Sequence, residues 1–137
     1  MVYNFNKKLI HKHQLTIGLF YFYKNHIISE IKEGVILTFE NCSELFELIH
    51  SYYGTTIPFV YISNRKNSYS FVPTGHFKSS KLFPNFTGYG VVIYDAINYK
   101  VATLEQSFLE TPTKIFNCLD DTLLWIDELI KPLSNPN

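Results

Sequence analysis

Apolar residues at the start of the chain come in short runs split by polar turns. Leu15–Tyr23 is an apolar and aromatic run, Lys24-Asn25-His26 interrupts it, Ile27–Ile31 follows, and Lys32-Glu33-Gly34 leads into Val35–Phe39. Runs this short, rich in β-branched and aromatic residues and tightly connected, predict three strands in an antiparallel meander. Residues 1–14 show little period and are expected to be a lead-in or an added edge segment. The period then becomes helical. Asn41 is placed to cap a helix with Glu44 at its third position, Leu45, Leu48, Ile49 and Tyr52 share one face, and Gly54 supplies the stop.

From Pro58 onward strands and helices alternate. Pro58–Ile62 reads as a buried strand and residues 73–83 as a short helix with Phe77 and Phe83 inward. Gly88–Tyr94 reads as a second buried strand. A helix from about Ile97 to Leu109 follows, with Ile97, Val101, Leu104 and Phe108 as its apolar stripe, and Pro112 ends it. Thr113–Phe116 is a short strand. Leu119–Lys131 is the last helix, with Leu119, Leu123, Ile126 and Ile130 on one face, Trp125 packed against the parallel strands, and Pro132 as its stop. Such alternation implies parallel strands with right-handed crossovers. The expected fold class is therefore α/β: a mixed sheet with an antiparallel N-terminal meander, then parallel βαβ units, under one layer of helices. The expected division is a lead-in over 1–14, one domain over 15–132 and a frayed tail over 133–137.

The segment Pro58–Thr74, PFVYISNRKNSYSFVPT, turns abruptly polar after Ile62. A core strand that empties into hydroxyls and amides is where open α/β sheets place their working surface. Ser63, Asn64, Arg65, Asn67, Ser68, Tyr69 and Ser70 are the candidate binding loop, with Arg65 and the hydroxyls of Ser68 and Ser70 expected to project outward. Arg65 is the only arginine beside eleven lysines. Its planar fork suits an anion, or equally a local carboxylate or helix C-terminus.

Composition narrows the function classes. The 137 residues are 46% hydrophobic and 17% aromatic, with ten Tyr and twelve Phe, which predicts one folded core. Twelve basic and twelve acidic residues cancel, which argues against an electrostatic nucleic-acid binder. No run approaches the roughly 18 apolar residues of a membrane span. Lys7, Lys8 and Lys12 before Leu15–Tyr23 have the outline of a signal peptide, but no small-residue cleavage site follows, so the run is read as a strand. Cys42 and Cys118 have no metal-type spacing and fit a reduced, cytoplasmic setting.

The order of elements resembles the sporulation-type anti-sigma-factor antagonist (STAS) fold, in its SpoIIAA-like branch grouped with SEC14-type lipid-binding domains. Phe116-Asn117-Cys118-Leu119-Asp120-Asp121-Thr122-Leu123-Leu124-Trp125-Ile126 is similar to that branch's closing pattern of a Phe, an acidic helix start, then Trp and an aliphatic. The central YISNRKNSYS is similar to the strand-loop of small bacterial members. The resemblance implies a non-enzymatic module acting on a protein partner, or a SEC14-like domain for a lipid or other apolar ligand. In the antagonists a phosphorylated serine lies in an Asp-Ser-Ser-Gly-type helix start. Asn67-Ser68-Tyr69-Ser70 keeps the hydroxyls without the Asp or the Gly, and Ser68 and Ser70 are the candidate phosphoacceptors.

Other chemistry is sparse. His11 and His13 alternate and would share a strand face, while His26, His50 and His76 are scattered, so no metal site is expected. Cys42 and Cys118 sit near helix starts but no His follows at a nucleophile's spacing, and Asp120, Asp121 and Glu128 stand where helices ordinarily carry acids. No G-x-S-x-G or P-loop occurs, and Gly88-Tyr89-Gly90 enters a strand rather than leaving one. No catalytic residue and no cofactor are expected. Phe20-Tyr21-Phe22-Tyr23 puts rings on both faces of one strand, which calls for cover on the outer face by a homodimer or an apolar ligand, unless a Phe-rich core absorbs them.

Overall fold

The computed structural model describes residues 8–134 except 73–74, 76–77, 79–80 and 108. A six-stranded sheet runs in the order β1-β2-β3-β5-β7-β8: β1 (Leu9–Leu15), β2 (Gly18–Tyr23), β3 (His26–Ile31), β5 (Phe59–Asn64), β7 (Phe86–Val92) and β8 (Thr113–Phe116). β1, β2 and β3 pair antiparallel; β3, β5, β7 and β8 pair parallel. Two short strands, β4 (Ile36–Leu37) and β6 (Ser70–Phe71), make a separate parallel pair. Among the described residues the longer helices are α1 (Ser43–Tyr53), α2 (Ala96–Gln106) and α3 (Asp120–Ser134), and Gly75, Lys78, Lys81 and Leu82, in the segment 73–83 expected to be a short helix, are helical as well.

The mixed sheet expected from the sequence is present, with three differences in how it is built. The run Leu15–Tyr23 is broken at Thr16-Ile17, so Leu15 closes an edge strand that starts at Leu9 and Gly18 opens the next. The register demands a glycine there: a Cβ at Gly18 would stand 2.4 Å from the carbonyl oxygen of Glu30. Val35–Phe39 does not extend the meander, because Ile36 and Leu37 pair with β6 instead. Asn41 does not cap α1 either. Its amide is used locally, accepting from Thr38 N at 2.9 Å and donating to the Ile36 carbonyl at 2.8 Å, and Cys42 precedes the helix without a side-chain cap. Gly54 does end α1, with φ 56° and its N–H on the His50 carbonyl.

Helices cover both faces of the sheet, not one. Phe20, Phe22, Ile27 and Phe59 point toward Leu45, Ile49 and Tyr53 of α1. Tyr21, Tyr23, Val60 and Ile62 point the other way, toward Leu119 just before α3 and Ile126 and Ile130 within it. The aromatic run of β2 is thereby absorbed within one chain, all four rings at 0–1% exposure. At about 1.5–3 kcal/mol per buried ring the run anchors both layers without a second subunit. Asn85 ties down the end of α1, its Nδ2 donating to the Ile57 carbonyl at 2.7 Å and meeting those of Tyr53 and Gly54. Tyr53 in turn donates its hydroxyl to the carbonyls of Tyr23 and His26 across the β2–β3 turn.

Two helices depart from their expected faces or ends. In α2 the buried positions are Asn98, Ala102 and Glu105, while Ile97 is 76% and Leu104 55% exposed. The apolar stripe is turned about one residue, or about 100°, away from the sheet. Phe108 of that stripe, and Phe77 of the segment 73–83, lie outside the described residues; Phe83 is buried as expected. In α3 Pro132 lies within a helix that continues to Ser134.

Trp125 is half-buried rather than fully buried, lying over a groove that β7 leaves by placing glycine at two alternate positions. A Cβ at Gly88 would meet Leu129 at 2.5 Å and the indole at 3.2 Å; one at Gly90 would meet Ile62 at 2.6 Å and the indole at 3.2 Å. Phe116 closes the groove, its ring 5.4 Å from the indole. Trp125→Ala should cost about 2–3 kcal/mol, below the range for a fully buried ring. Urea unfolding gives the cost. Emission of this single tryptophan should be blue of the solvent-exposed value, and a water-like maximum in the folded protein would contradict the packing.

Candidate functional site

β5 runs two residues past Ile62, so Ser63 and Asn64 belong to the strand and are buried. Arg65 follows at once, its N–H on the Val92 carbonyl at 3.0 Å. That bond continues the β5–β7 ladder and turns the side chain under α2 instead of into solvent. Arg65 is 2% exposed, which corrects the expectation of an outward guanidinium. Its Nη2 pairs with Glu105, itself 1% exposed, and donates to the Tyr89 hydroxyl at 3.0 Å. Nε donates to Ser63 Oγ at 3.1 Å, and the guanidinium carbon lies 5.2 Å from the centre of the Tyr69 ring. Tyr89 donates to the second oxygen of Glu105 at 2.8 Å, and Ser63 shares a 2.7 Å bond with the Tyr69 hydroxyl.

The cluster is a closed, neutral network in which a buried charge meets its counter-charge and several hydrogen bonds. Burial opposes the guanidinium charge, but Tyr89, Tyr69 and Glu105 together outweigh it and hold Arg65 above its ordinary pKa. Burial raises Tyr89 and Tyr61 as well, keeping both phenols neutral.

The rest of the expected binding loop divides in two. Asn64 accepts from the Tyr94 hydroxyl at 2.6 Å and donates to Glu30 at 3.2 Å. Tyr69 is half-buried and belongs to the arginine cluster. Asn67, Ser68 and Ser70 are exposed, but the loop is tied to the β3–β4 turn. Asn67 donates to the Ile31 carbonyl at 3.0 Å, Ser68 N–H to Glu33 at 3.0 Å, and Ser70 N–H to the Val35 carbonyl at 3.0 Å. Pro73 and Thr74 lie outside the described residues.

Beside this network is a feature that residue types alone did not disclose. A cavity of about 120 Å³ lies between α1, the β4–β6 pair and the central strands. Nine of its seventeen lining residues are aromatic and none is charged. Tyr61, Tyr69 and Tyr89 show it their rings while their hydroxyls are engaged by Ser29, Ser63 and the Arg65–Glu105 pair. Cys42 also lines it; burial pushes its thiol up to about 11, the opposite of an activated nucleophile. The signal for this cavity was the density of Phe and Tyr. Nothing in that density says where a fold leaves space.

The paired histidines do share a face, ring centres 4.5 Å apart, and His13 bonds the Tyr52 hydroxyl at 2.9 Å. Among the described residues no three His, Cys, Asp or Glu side chains gather as a metal site would require, and no helix is long and apolar enough to cross a membrane.

Comparison with solved structures gives a clear fold match. The crystal structure of an uncharacterised protein from the DUF3478 family of Shewanella loihica, described as having a SpoIIAA-like fold, aligns with TM-score 0.52 and 14% identity. The alignment covers 85% of this chain and 90% of that one. The fold is SpoIIAA-like. No protein-family profile and no curated relative matches the chain. The SpoIIAA-like frame accounts for the sheet and its cover; at 14% identity it says nothing of the residues that fill the cavity.

Two outcomes test the electrostatics. Arg65→Lys should destabilise by about 3 kcal/mol, because a buried lysine cannot keep the fork on Ser63, Tyr89 and Glu105 together. The double change Arg65→Met/Glu105→Leu should cost less than either single change. A loss within about 0.5 kcal/mol for Arg65→Lys, as at exposed sites, would contradict the network. Alkali provides the second. Cys42, ordinarily near 9.0, and Tyr53 and Tyr89, ordinarily near 10.0, are all raised by burial. The unfolded chain therefore releases these protons first, so this stability is fully present below about pH 9 and falls as pH rises beyond it, by up to about 1.4 kcal/mol per unit for each fully buried phenol. Urea midpoints should be flat to about pH 9 and then decline.

Proposed function

We propose that this SpoIIAA-like protein is a non-enzymatic binding module for a small apolar ligand held between α1, the β4–β6 pair and the sheet. The observation that carries this is the cavity. Interiors normally leave few voids larger than a water molecule. A pocket with about 120 Å³ of free space that opens to solvent on one side leaves its apolar walls in contact with water, at a cost of roughly 25 cal/mol per Å². A ligand that fills it returns that cost as binding energy. The neutral network beneath it offers no activated nucleophile and no poised acid or base, which supports binding over catalysis.

A second reading, contact with a protein partner, keeps the exposed half of the loop: Asn67, Ser68 and Ser70, the two serines remaining the candidate phosphoacceptors. A phosphate at Ser68 would stand close to Glu33, whose carboxylate holds that residue's N–H, and repulsion would release the loop from the β3–β4 turn.

Native mass spectrometry of protein purified without detergent or solvent separates the two. The ligand reading predicts a small uncharged adduct that hexane extraction removes, with a fall in melting temperature. A bare mass, with melting indifferent to a panel of apolar compounds and a protein retained in the same preparation, would contradict it and favour the second.

A further inference from the structure

The cavity's size and lining restrict what it can take more sharply than the word apolar does. This step rests on the ligand-binding reading. An engineered cavity of about 150 Å³ with an apolar lining stays dry and takes up benzene. At about 120 Å³ this one has room for a single six-membered ring with a small substituent. A long acyl chain or a glycerolipid exceeds it and would have to leave most of its length outside, in solvent, through the open side.

The lining also decides charge and polarity. Arg65 and Glu105 neutralise each other below the floor, so neither is left to answer an ionic group on a ligand. The Tyr69 hydroxyl is taken by Ser63, and that of Tyr89 by Arg65 and Glu105. Of the polar side chains on the wall, Thr38 Oγ1 already accepts from Asn41 N at 3.0 Å and Cys42 donates to Asn41 Oδ1 at 3.7 Å. Lys78 is exposed, with its Nζ 5.7 Å from the centre of the lining Phe39 ring, and would meet an anion only at the rim; a carboxylate or phosphate carried past it to the ring-lined interior would lose its water without a counter-charge on the walls. A flat ring loses nothing of the kind. It meets the faces and edges of Phe59 and of Phe83 and Phe86, which each pack on Phe59 at centroid distances of 5.8 and 5.6 Å, the spacing at which a further ring adds favourable contacts.

We infer that the ligand is a neutral molecule of single-ring size, aromatic or cycloaliphatic, and that the site rejects carboxylates, phosphates and acyl chains.

The test compares toluene, benzoate, dodecanoate and phosphatidylcholine vesicles as added probes. Two readouts are used: melting temperature, and the rate at which methyl methanethiosulfonate modifies Cys42 at pH 9, Cys118 serving as the exposed internal control. Toluene at about 100 times its dissociation constant should raise melting by roughly 5–10 °C. It should slow Cys42 modification at least tenfold and leave Cys118 unchanged. Benzoate at the same concentration should do neither. In Cys42→Phe, whose new ring occupies the cavity, the toluene shift should disappear; should that variant not fold, Cys42 protection in the unaltered protein decides alone. Protection by dodecanoate, benzoate or the vesicles at least equal to that by toluene would overturn the inference on size and charge while leaving a ligand site. No shift and no protection with any probe would overturn both this inference and the binding reading.

Discussion

The fold is organised around one buried charge. Arg65 leaves the end of β5 at the point where the β5–β7 ladder makes its last bonds, and its side chain has no route to water. A guanidinium in that position needs a carboxylate, and Glu105 supplies it from α2. Leaving either partner alone would cost about 3–5 kcal/mol. That requirement sets the rotation of α2 about its axis. The helix presents Asn98, Ala102 and Glu105 to the sheet and leaves Ile97 and Leu104 in solvent, forgoing about 1.5–3 kcal/mol for each large side chain it does not bury. The ion pair and the close fit of Ala102 among Tyr89, Val91 and Ile93 outweigh that loss.

The same network shapes the cavity. Tyr69 and Tyr89 are held with hydroxyls toward the charges and rings toward the void, so the polar cluster and the apolar space are two sides of one wall. A site of this kind receives a ligand through shape and ring contact. The arginine's charge is spent on Glu105 inside the wall, and no charged side chain lines the void. The fold explains why the wall is there, and the particular residues explain what it would admit.

Much of the architecture was legible because burial is written as period. β2 carries aromatic residues in unbroken succession because alternate rings enter two different cores, and α3 keeps its apolar spacing because it lies flat on parallel strands. The change of direction from antiparallel to parallel pairing followed from helices beginning to separate the strands. What failed to read through was any decision made by a distant partner. α2 has a regular apolar stripe, and nothing within eleven residues reveals that a glutamate on its other side is required forty positions upstream. Arg65 looked like a loop residue because Lys66, Asn67 and Ser68 after it are loop residues; only the bond of its own N–H to Val92 shows that the β5–β7 ladder reaches one residue past the strand. Val35–Phe39 has strand composition, yet its pairing with Ser70–Phe71 depends on where the loop returns. The cavity is the extreme case, since an absence of atoms has no residue to announce it.

If the buried pair sets the rotation of α2, neutralising Glu105 without changing its shape should loosen that helix before anything else. Amide hydrogen exchange of wild type and Glu105→Gln, residue by residue, measures this directly. Residues 96–106 should exchange on the order of 100-fold faster in the variant, while the β2 and β3 amides keep a larger share of their protection. Unchanged protection across α2, or a uniform loss in which α2 is no worse than β2 and β3, would contradict that role of the pair.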